Sequence, residues 1–491
     1  MRRFTLVPFA LLSHLAAQSP AFVPLGHPNG WFAPHGVSAD GRVAVGMSYL
    51  NPGSFGIPGD FARRWREGIG FDYPGPSPEP TASWAADCSS DGRVMCGGNG
   101  HAVFGDLEAW VRDGNSTAHA GSPAGHDTSD LLGVSGDGRI AVGYGGHQSN
   151  ANLFEAARYD LRNDRWTNLG FLPGAGDSKA LATNADGSVI VGWSTDPAVL
   201  YSTAFRWTAA GMVAIPHLVG GNEAVASAVN AAGDTVVGSD YVVDAQWNST
   251  QTAFKWRSDT GTVALGGLPG GDGSSIAFDV SEDGMFTVGT ADVGGSWGAF
   301  VHDDQSGMRR LDEVLIEAGL GAQIAGFEFI GANSIAGHGP DYWIAGECYD
   351  VNSNASAFLV HVALGAARTS FLGGGCGSSV STLTATAPVL GTTSDLALGA
   401  AVPGATAAFM VGLQLAAGIA FDECEVWFDP LVALALPLHI VDASGASHAP
   451  LAVPNVLGLT GLRLSAQAVV FPTAAPMGFD LSDAVGLVLG R

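Results

Sequence analysis

Eight aromatic residues stand in the variable segments that join strand-like pieces of this chain: Tyr49, Phe55, Tyr144, Trp193, Tyr201, Tyr241, Trp247 and Tyr349. Asp240, Asp244 and Asp350 lie beside them. A flat ring next to a carboxylate can stack on a sugar and accept its hydroxyl protons, and the same pairing anchors protein partners. The competing reading is that several of these rings only cover sheet edges. The candidate ligand-binding set is Tyr49, Trp193, Tyr201, Asp240, Tyr241, Trp247 and Tyr349.

Catalytic constellations are harder to find. Asp303-Asp304 falls in a strand-to-strand turn, where solvated turn acids are the simpler explanation. Asp422-Glu423-Cys424-Glu425 has the donors for a cation but reads better as a solvated loop. The thirteen histidines are scattered, with His27, His35, His101, His126 and His147 in expected loops. No nucleophile elbow, metalloprotease helix or phosphate loop is present. We therefore assign no catalytic residue, no metal site and no cofactor; no pattern supports a bound divalent cation.

Five cysteines in a chain expected to be exported invite pairing, with one left over. Cys376 and Cys424 are the expected disulfide. Cys88 and Cys96 flank one hairpin turn and form a possible second pair; the alternative is two small buried residues. Cys348 is then the odd thiol.

Charged residues make up 14% of the 491 positions, Gly numbers 70, and the net charge is −25. That charge repels polyphosphate and argues against a nucleic-acid partner. The glycine content argues for turns rather than helices. The start, MRRFTLVPFALLSHLAAQS, has a basic head, an apolar run and a small-residue exit. It reads as a signal peptide over residues 1–18, which implies an exported mature protein, secreted or at the cell surface. No later segment has the length and unbroken apolar character of a transmembrane helix.

The elements that must position these residues announce themselves by repetition. A phrase of the type Val-Ser-x-Asp-Gly-x-x-x-Val-Gly ends its turn at Gly41, Gly92, Gly138, Gly187, Gly233 and Gly284, in steps of 51, 46, 49, 46 and 51 residues. Such a period means one supersecondary unit per repeat, stacked on its neighbours. Asp-Gly is a strong hairpin signal. A third strand recurs as ARRW, AARY, AFRW, AFKW and AFVH, and a fourth as NLGFLPG and ALGGLPG. Four antiparallel strands repeated radially make a β-propeller. A seventh, degenerate repeat over 327–362 lacks a fourth strand, and Phe22–Gly26 matches the missing piece, closing the ring. In a blade the Asp-Gly turns lie on one face and the long aromatic-bearing loops on the other.

The pattern LGxLPGG…S…VSxDGxxVVG…AFRW resembles the bacterial extracellular HAF-repeat family across roughly residues 22–362. The resemblance implies export and a repetitive β-fold, and it implies no known reaction. Beyond Gly373-Gly374-Gly375-Cys376-Gly377 the repeat stops, and short alternating apolar strands read as a compact β-sandwich. Its GCG start and Asp-Ala-Ser-Gly turn resemble a C-terminal domain common on secreted planctomycete proteins, which implies an accessory or attachment role.

The sequence thus predicts an all-β chain: a signal peptide at 1–18, a seven-bladed β-propeller at 19–365, a linker at 366–376 and a small β-sandwich at 377–491. The expected function is a non-enzymatic binding face for a glycan or protein partner. A polysaccharide-active hydrolase or lyase on that face, or a structural surface protein, are the alternatives. Carboxylates converging on the channel mouth would favour the enzyme; an aromatic mouth with dispersed acids would favour binding.

Overall fold

A computed structural model of the chain describes residues 20–490, apart from 27–29, 51–59, 76–81, 101–106, 148–149, 197–200, 244–248, 340, 366, 374, 377–380, 422–423, 457–458, 460–461 and 472–477. The expected signal peptide lies outside the described residues.

The repeated phrase is a side-chain lock on a turn. In the first repeat the Ser38 hydroxyl donates to Asp40 at 2.7 Å and accepts the Val43 N–H at 3.0 Å. Asp40 in turn accepts the Arg42 N–H at 3.0 Å. Ser89 with Asp91, Ser135 with Asp137 and Ser281 with Asp283 repeat the arrangement. Asn184 and Asn230 supply the same acceptor where serine is absent. Gly41, Gly92 and Gly138 follow at φ of +67°, +65° and +70°, a region in which a side chain is strained. There is no room for one either. A Cβ on Gly92 would lie 2.7 Å from Val43 of the preceding blade, and one on Gly138 the same distance from Val94.

Seven four-stranded antiparallel sheets result, as expected. Blades 1 to 6 begin with the inner strands Gly30–Val37, Ala82–Cys88, Thr128–Val134, Asp177–Thr183, Gly221–Val229 and Ser275–Val280. Blade 7 is built from Glu328–His338, Asp341–Tyr349 and Ala355–Ala363, and its outer strand is Ala21–Pro24 from the other end of the chain. Val23 pairs with Leu359 there, Leu25 N–H donates to Ala357 at 2.7 Å, and the Leu25 side chain is 1% exposed. The two ends of the propeller chain thus share the last blade, which closes the ring. A short helix, Leu311–Glu317, precedes blade 7 and packs Leu311, Val314 and Leu315 into the core between blades 6 and 7.

Serine hydroxyls staple adjacent blades. Ser83, Ser129, Ser178 and Ser275 each accept a third-strand N–H of the preceding blade at 2.9–3.1 Å. Ser129, Ser178 and Ser275 also donate to that blade's Gly121, Gly170 and Gly266 carbonyls. These hydroxyls and N–H groups satisfy one another across the seams, which fixes the angle between blades as well as the spacing.

Cys88 and Cys96 do not pair. Cys88 stands opposite Met95 and Cys96 opposite Asp87, so the register is one residue out for a cross-strand bond. The two thiols are free and buried on opposite faces of blade 2, Cys88 against blade 1 and Cys96 against blade 3. Cys348 is also a free, buried thiol. The small-buried-residue alternative is therefore the one observed.

The C-terminal region forms two packed sheets. The larger orders Arg368–Gly373, Ala484–Val488, Arg463–Phe471, Thr406–Phe421 and Cys424–Phe428; the smaller orders Thr382–Ala385, Thr393–Gly399 and Ser447–Ala452. Leu383, Leu396 and Leu398 from one face meet Phe409, Val470 and Leu487 from the other. The first strand lies inside the stretch expected to be a linker. Cys376 is not among the free thiols, and the side chain of Cys424 falls outside the described residues. No described helix is long and apolar enough to cross a membrane.

Candidate functional site: the central channel and its two mouths

Each blade's inner strand carries one extra residue just before the turn phrase. The register slips between Pro34 and Gly36, Ala85 and Asp87, Leu131 and Gly133, Ala180 and Ala182, Ala226 and Ala228, Ala277 and Asp279, and Ala332 and Ser334. The extra residues are His35, Ala86, Leu132, Leu181, Ser227, Phe278 and Asn333. A bulge re-aims a side chain out of the alternating pattern. The Val-Gly of the turn phrase serves this feature. A Cβ on Gly46, Gly143, Gly192 or Gly238 would lie 1.9 Å from an inner-strand carbonyl oxygen just before the slip.

Three of these extra residues, on adjacent blades 6, 7 and 1, line one cavity of about 650 Å³ at the loop-side mouth of the channel. Phe278, Ile276, Ile330 and Trp297 give it apolar walls, and Trp297 is 44% exposed. Asn333, Thr290, His35 and Glu347 supply polar groups. The Asn333 amide donates to the Pro34 carbonyl at 3.0 Å and reaches Glu347 at 3.4 Å. Burial holds the Glu347 carboxyl above its usual range. His35 Nδ1 meets the Ala85 carbonyl at 3.0 Å, so that nitrogen carries the proton. Burial lowers the ring's pKa, and a neutral imidazole keeps Nε2 as an acceptor. Rings beside oriented polar groups in a preformed hollow are suited to holding a small hydroxylated ligand.

The turn-side mouth is built differently. Inner-strand ends from all seven blades line a cavity of about 170 Å³. Backbone hydrogen bonds step around it from Ala39 to Ser90, Ser90 to Gly136, Asp137 to Ala185, Ala185 to Ala231 and Ala231 to Glu282. The Ser90 hydroxyl also reaches across the axis to Glu282 at 3.2 Å. Asp87 accepts the N–H groups of Cys88 and Val134 at 2.7 and 2.9 Å, and Asp279 those of Val280 and Ile335, both at 2.8 Å. Each carboxylate thus ties its blade to the next. Burial pushes Asp87 up to about 7 and Asp279 up to about 6.

The aromatic residues singled out from sequence are spread around the loop side rather than gathered. Tyr49 stacks on Trp31, its cross-strand partner, at 4.5 Å between ring centres. Trp193 lies on a strand, half-buried, 5.8 Å from the Lys179 ammonium. That ammonium sits 4.1 Å from the Tyr144 ring and 3.8 Å from Phe154, so the aromatic cage already holds a cation of its own. Tyr144 and Trp84 both bond to Asp130, whose carboxyl burial pushes up to about 7. Asp240 is 1% exposed and faces His217 at 3.1 Å while accepting the Leu218 and Glu223 N–H groups. It anchors the crossing between blades 4 and 5 and is not presented to a ligand. Tyr201 is 51% exposed and lines a second cavity of about 690 Å³ with Asp196 and Asn222. Tyr241 and Tyr349 are exposed at strand ends. Trp247, Phe55, Asp244, His27 and His101 lie outside the described residues, as do Asp422 and Glu423. Asp303 and Asp304 are not simply solvated. Asp303 is buried and caps its own turn, and Asp304 pairs with Lys255 and Arg257.

Of the residues that build the loop-side cavity, His35 alone is among the sequence candidates, and it lies at the bulge of the strand Gly30–Val37 rather than in the expected loop. The signal was nonetheless present. His35, Phe278 and Asn333 occupy the position just before the constant turn phrase, where the repeats vary from Ala86 to Phe278.

No protein-family model matches the chain, and no curated protein matches it. Solved structures do. The β-propeller domain of the trilobed protease from Pyrococcus furiosus aligns over 67% of this chain and 95% of its own, with 10% identity and a TM-score of 0.42. The Dos1 propeller aligns over 70% and 95%, with 10% identity and a TM-score of 0.36. TolB from Acinetobacter baumannii aligns over 54% of this chain and 62% of that one, with 12% identity and a TM-score of 0.37, so the match spans under two thirds of TolB. At these scores the neighbours carry no argument about function.

Proposed function

We propose that the chain is an exported, non-enzymatic binding protein whose propeller takes one sugar unit of a glycan into the loop-side mouth of its channel. The single observation that carries this reading is the cavity walled by Phe278 and Trp297 and furnished with Asn333, Glu347, Thr290 and His35. Ring faces stack on the apolar side of a sugar, and the polar groups fix its hydroxyls. Glu347 is the one acid among the described lining residues, whereas glycoside hydrolysis ordinarily uses two carboxylates. This favours binding over a hydrolase at the same place. Export rests on the N-terminal pattern and on the resemblance to HAF repeats, and the C-terminal sandwich is read as an accessory domain.

A glycan-array screen of the mature protein tests the reading. We expect retained glycans whose binding falls at least tenfold in Trp297→Ala and Phe278→Ala, with an unchanged melting temperature for the exposed Trp297→Ala. An array without retained ligands, or hits that both variants bind normally, would refute it.

A further inference from the structure

The seams between blades offer an internal comparison. In the third-strand motif the third residue of one blade faces the fourth residue of the next. Arg158 lies over the Trp207 ring at 5.8 Å in the seam between blades 3 and 4. Between blades 4 and 5, Arg206 donates to the Gly233 carbonyl and Trp256 packs in the shared core. Between blades 5 and 6 the two positions hold Lys255 and His302. A shorter cation facing a smaller ring leaves space, and a cavity of about 310 Å³ opens there, lined by both residues and by Thr260 and Asp304.

The charges in this gap are uneven. Asp304 takes the Lys255 ammonium at 2.7 Å and the Arg257 guanidinium at 3.0 Å. Arg257 spends its other nitrogens on Thr235 and the Gly284 carbonyl, so it anchors Asp304 and offsets its charge. Lys255 shares Asp304 with Arg257, and its ammonium makes one hydrogen bond with three donors. His302 Nδ1 is buried without a partner. Burial and the Lys255 charge lower the His302 pKa to about 4, so the ring is neutral at physiological pH and offers one donor and one acceptor nitrogen. A lysine with two unused ammonium donors and a histidine with an orphaned ring nitrogen, both lining one preformed hollow, are conspicuous in a chain of net charge −25 with two lysines.

We propose that the gap between blades 5 and 6 is a binding site for a small carboxylate no larger than one acidic sugar, held by the Lys255 ammonium and the His302 ring. It lies on the outer turn side of the propeller, apart from the loop-side cavity, so either site can fail without the other. Arg158 and Arg206 fill the equivalent space in the two preceding seams; here the ligand carboxylate completes the seam.

The test is isothermal titration calorimetry of the full mature chain with glucuronate, with glucose as the neutral control and acetate as the minimal probe. We expect glucuronate and acetate to bind and glucose not to bind. Lys255→Gln, which keeps the stem and removes the charge, should weaken glucuronate at least tenfold. His302→Trp, which restores the ring of the two preceding seams, should abolish binding while holding or raising the melting temperature. Absence of heat with the wild type up to tens of millimolar, equal binding of glucose, or unchanged binding in a folded His302→Trp or Lys255→Gln variant would each overturn the proposal.

Discussion

The two ends of the channel are made from the same inner strands yet do opposite things. At the turn side every blade presents nearly the same residues, and each side chain is spent on a neighbour: the serine on its aspartate, the aspartates of blades 2 and 6 on the next blade's N–H groups, Ser90 on Glu282 across the axis. A few residues nearer the loop side, the bulge position varies from Ala86 to Phe278, and the residues of blades 6, 7 and 1 surround an open hollow. Constancy marks what holds the ring together, and variation beside that constancy marks what the ring presents. A satisfied polar group contributes to stability, and one left facing space is available to a ligand.

Breaking the closure of the ring should cost most. Leu25→Ala removes a fully buried side chain from the core shared by blades 7 and 1, and should lower stability by about 2–5 kcal/mol in chemical denaturation. Deleting residues 20–26 should cost more, because it also leaves the strand Ala355–Ala363 as an open edge. Next comes Gly143→Ala. Its new methyl must push back the Asp130 carbonyl 1.9 Å away, which should cost about 1–3 kcal/mol or more and appear as a lowered melting temperature.

The turn-side carboxylates sharpen the contrast through pH. Asp87 has a folded pKa near 7, above its ordinary value, so the folded state holds this proton more tightly than the unfolded chain does. Its ionisation is therefore a penalty that is absent near pH 4 and grows as pH rises toward 7. Asp87→Asn cannot ionise. Wild-type stability measured relative to this variant should fall between pH 5 and pH 7, by at most about 1.4 kcal/mol per pH unit, and then level off. A flat difference would contradict the assignment. The smallest effects are expected on the loop side. Tyr241→Ala and Tyr349→Ala remove exposed rings at strand ends and should change stability by no more than about 0.5 kcal/mol, with array hits unaffected.

Much of the closed end was legible in the sequence, because a locked turn admits few residues. Ser or Asn, Asp and Gly recur for the hydrogen bonds and the positive φ of Gly41 and its counterparts, and the stray Phe22–Gly26 could be matched to the missing strand of blade 7. The open end was not legible by the same route. Phe278, Asn333 and His35 come from three repeats, two of them at opposite ends of the propeller sequence, and only ring closure makes them neighbours. Reading aromatic loops as the site also overlooked internal partners. Trp193 looked free until Lys179 filled the space beside it, and Asp240 looked available until His217 and two backbone N–H groups claimed it. In the C-terminal region, Arg368–Gly373 pairs with Ala484–Val488 at the far end of the chain, and local alternation did not reveal it.

The most direct test of the account is a co-crystal structure of the mature protein with the tightest glycan from the array. The account predicts one sugar ring seated against Trp297 and Phe278, with hydroxyls on Asn333 and Glu347 and the turn-side mouth still closed by Ser90 and Glu282. A glycan held instead in the Tyr201 cavity or on the blade edges, with the channel mouth empty, would contradict it.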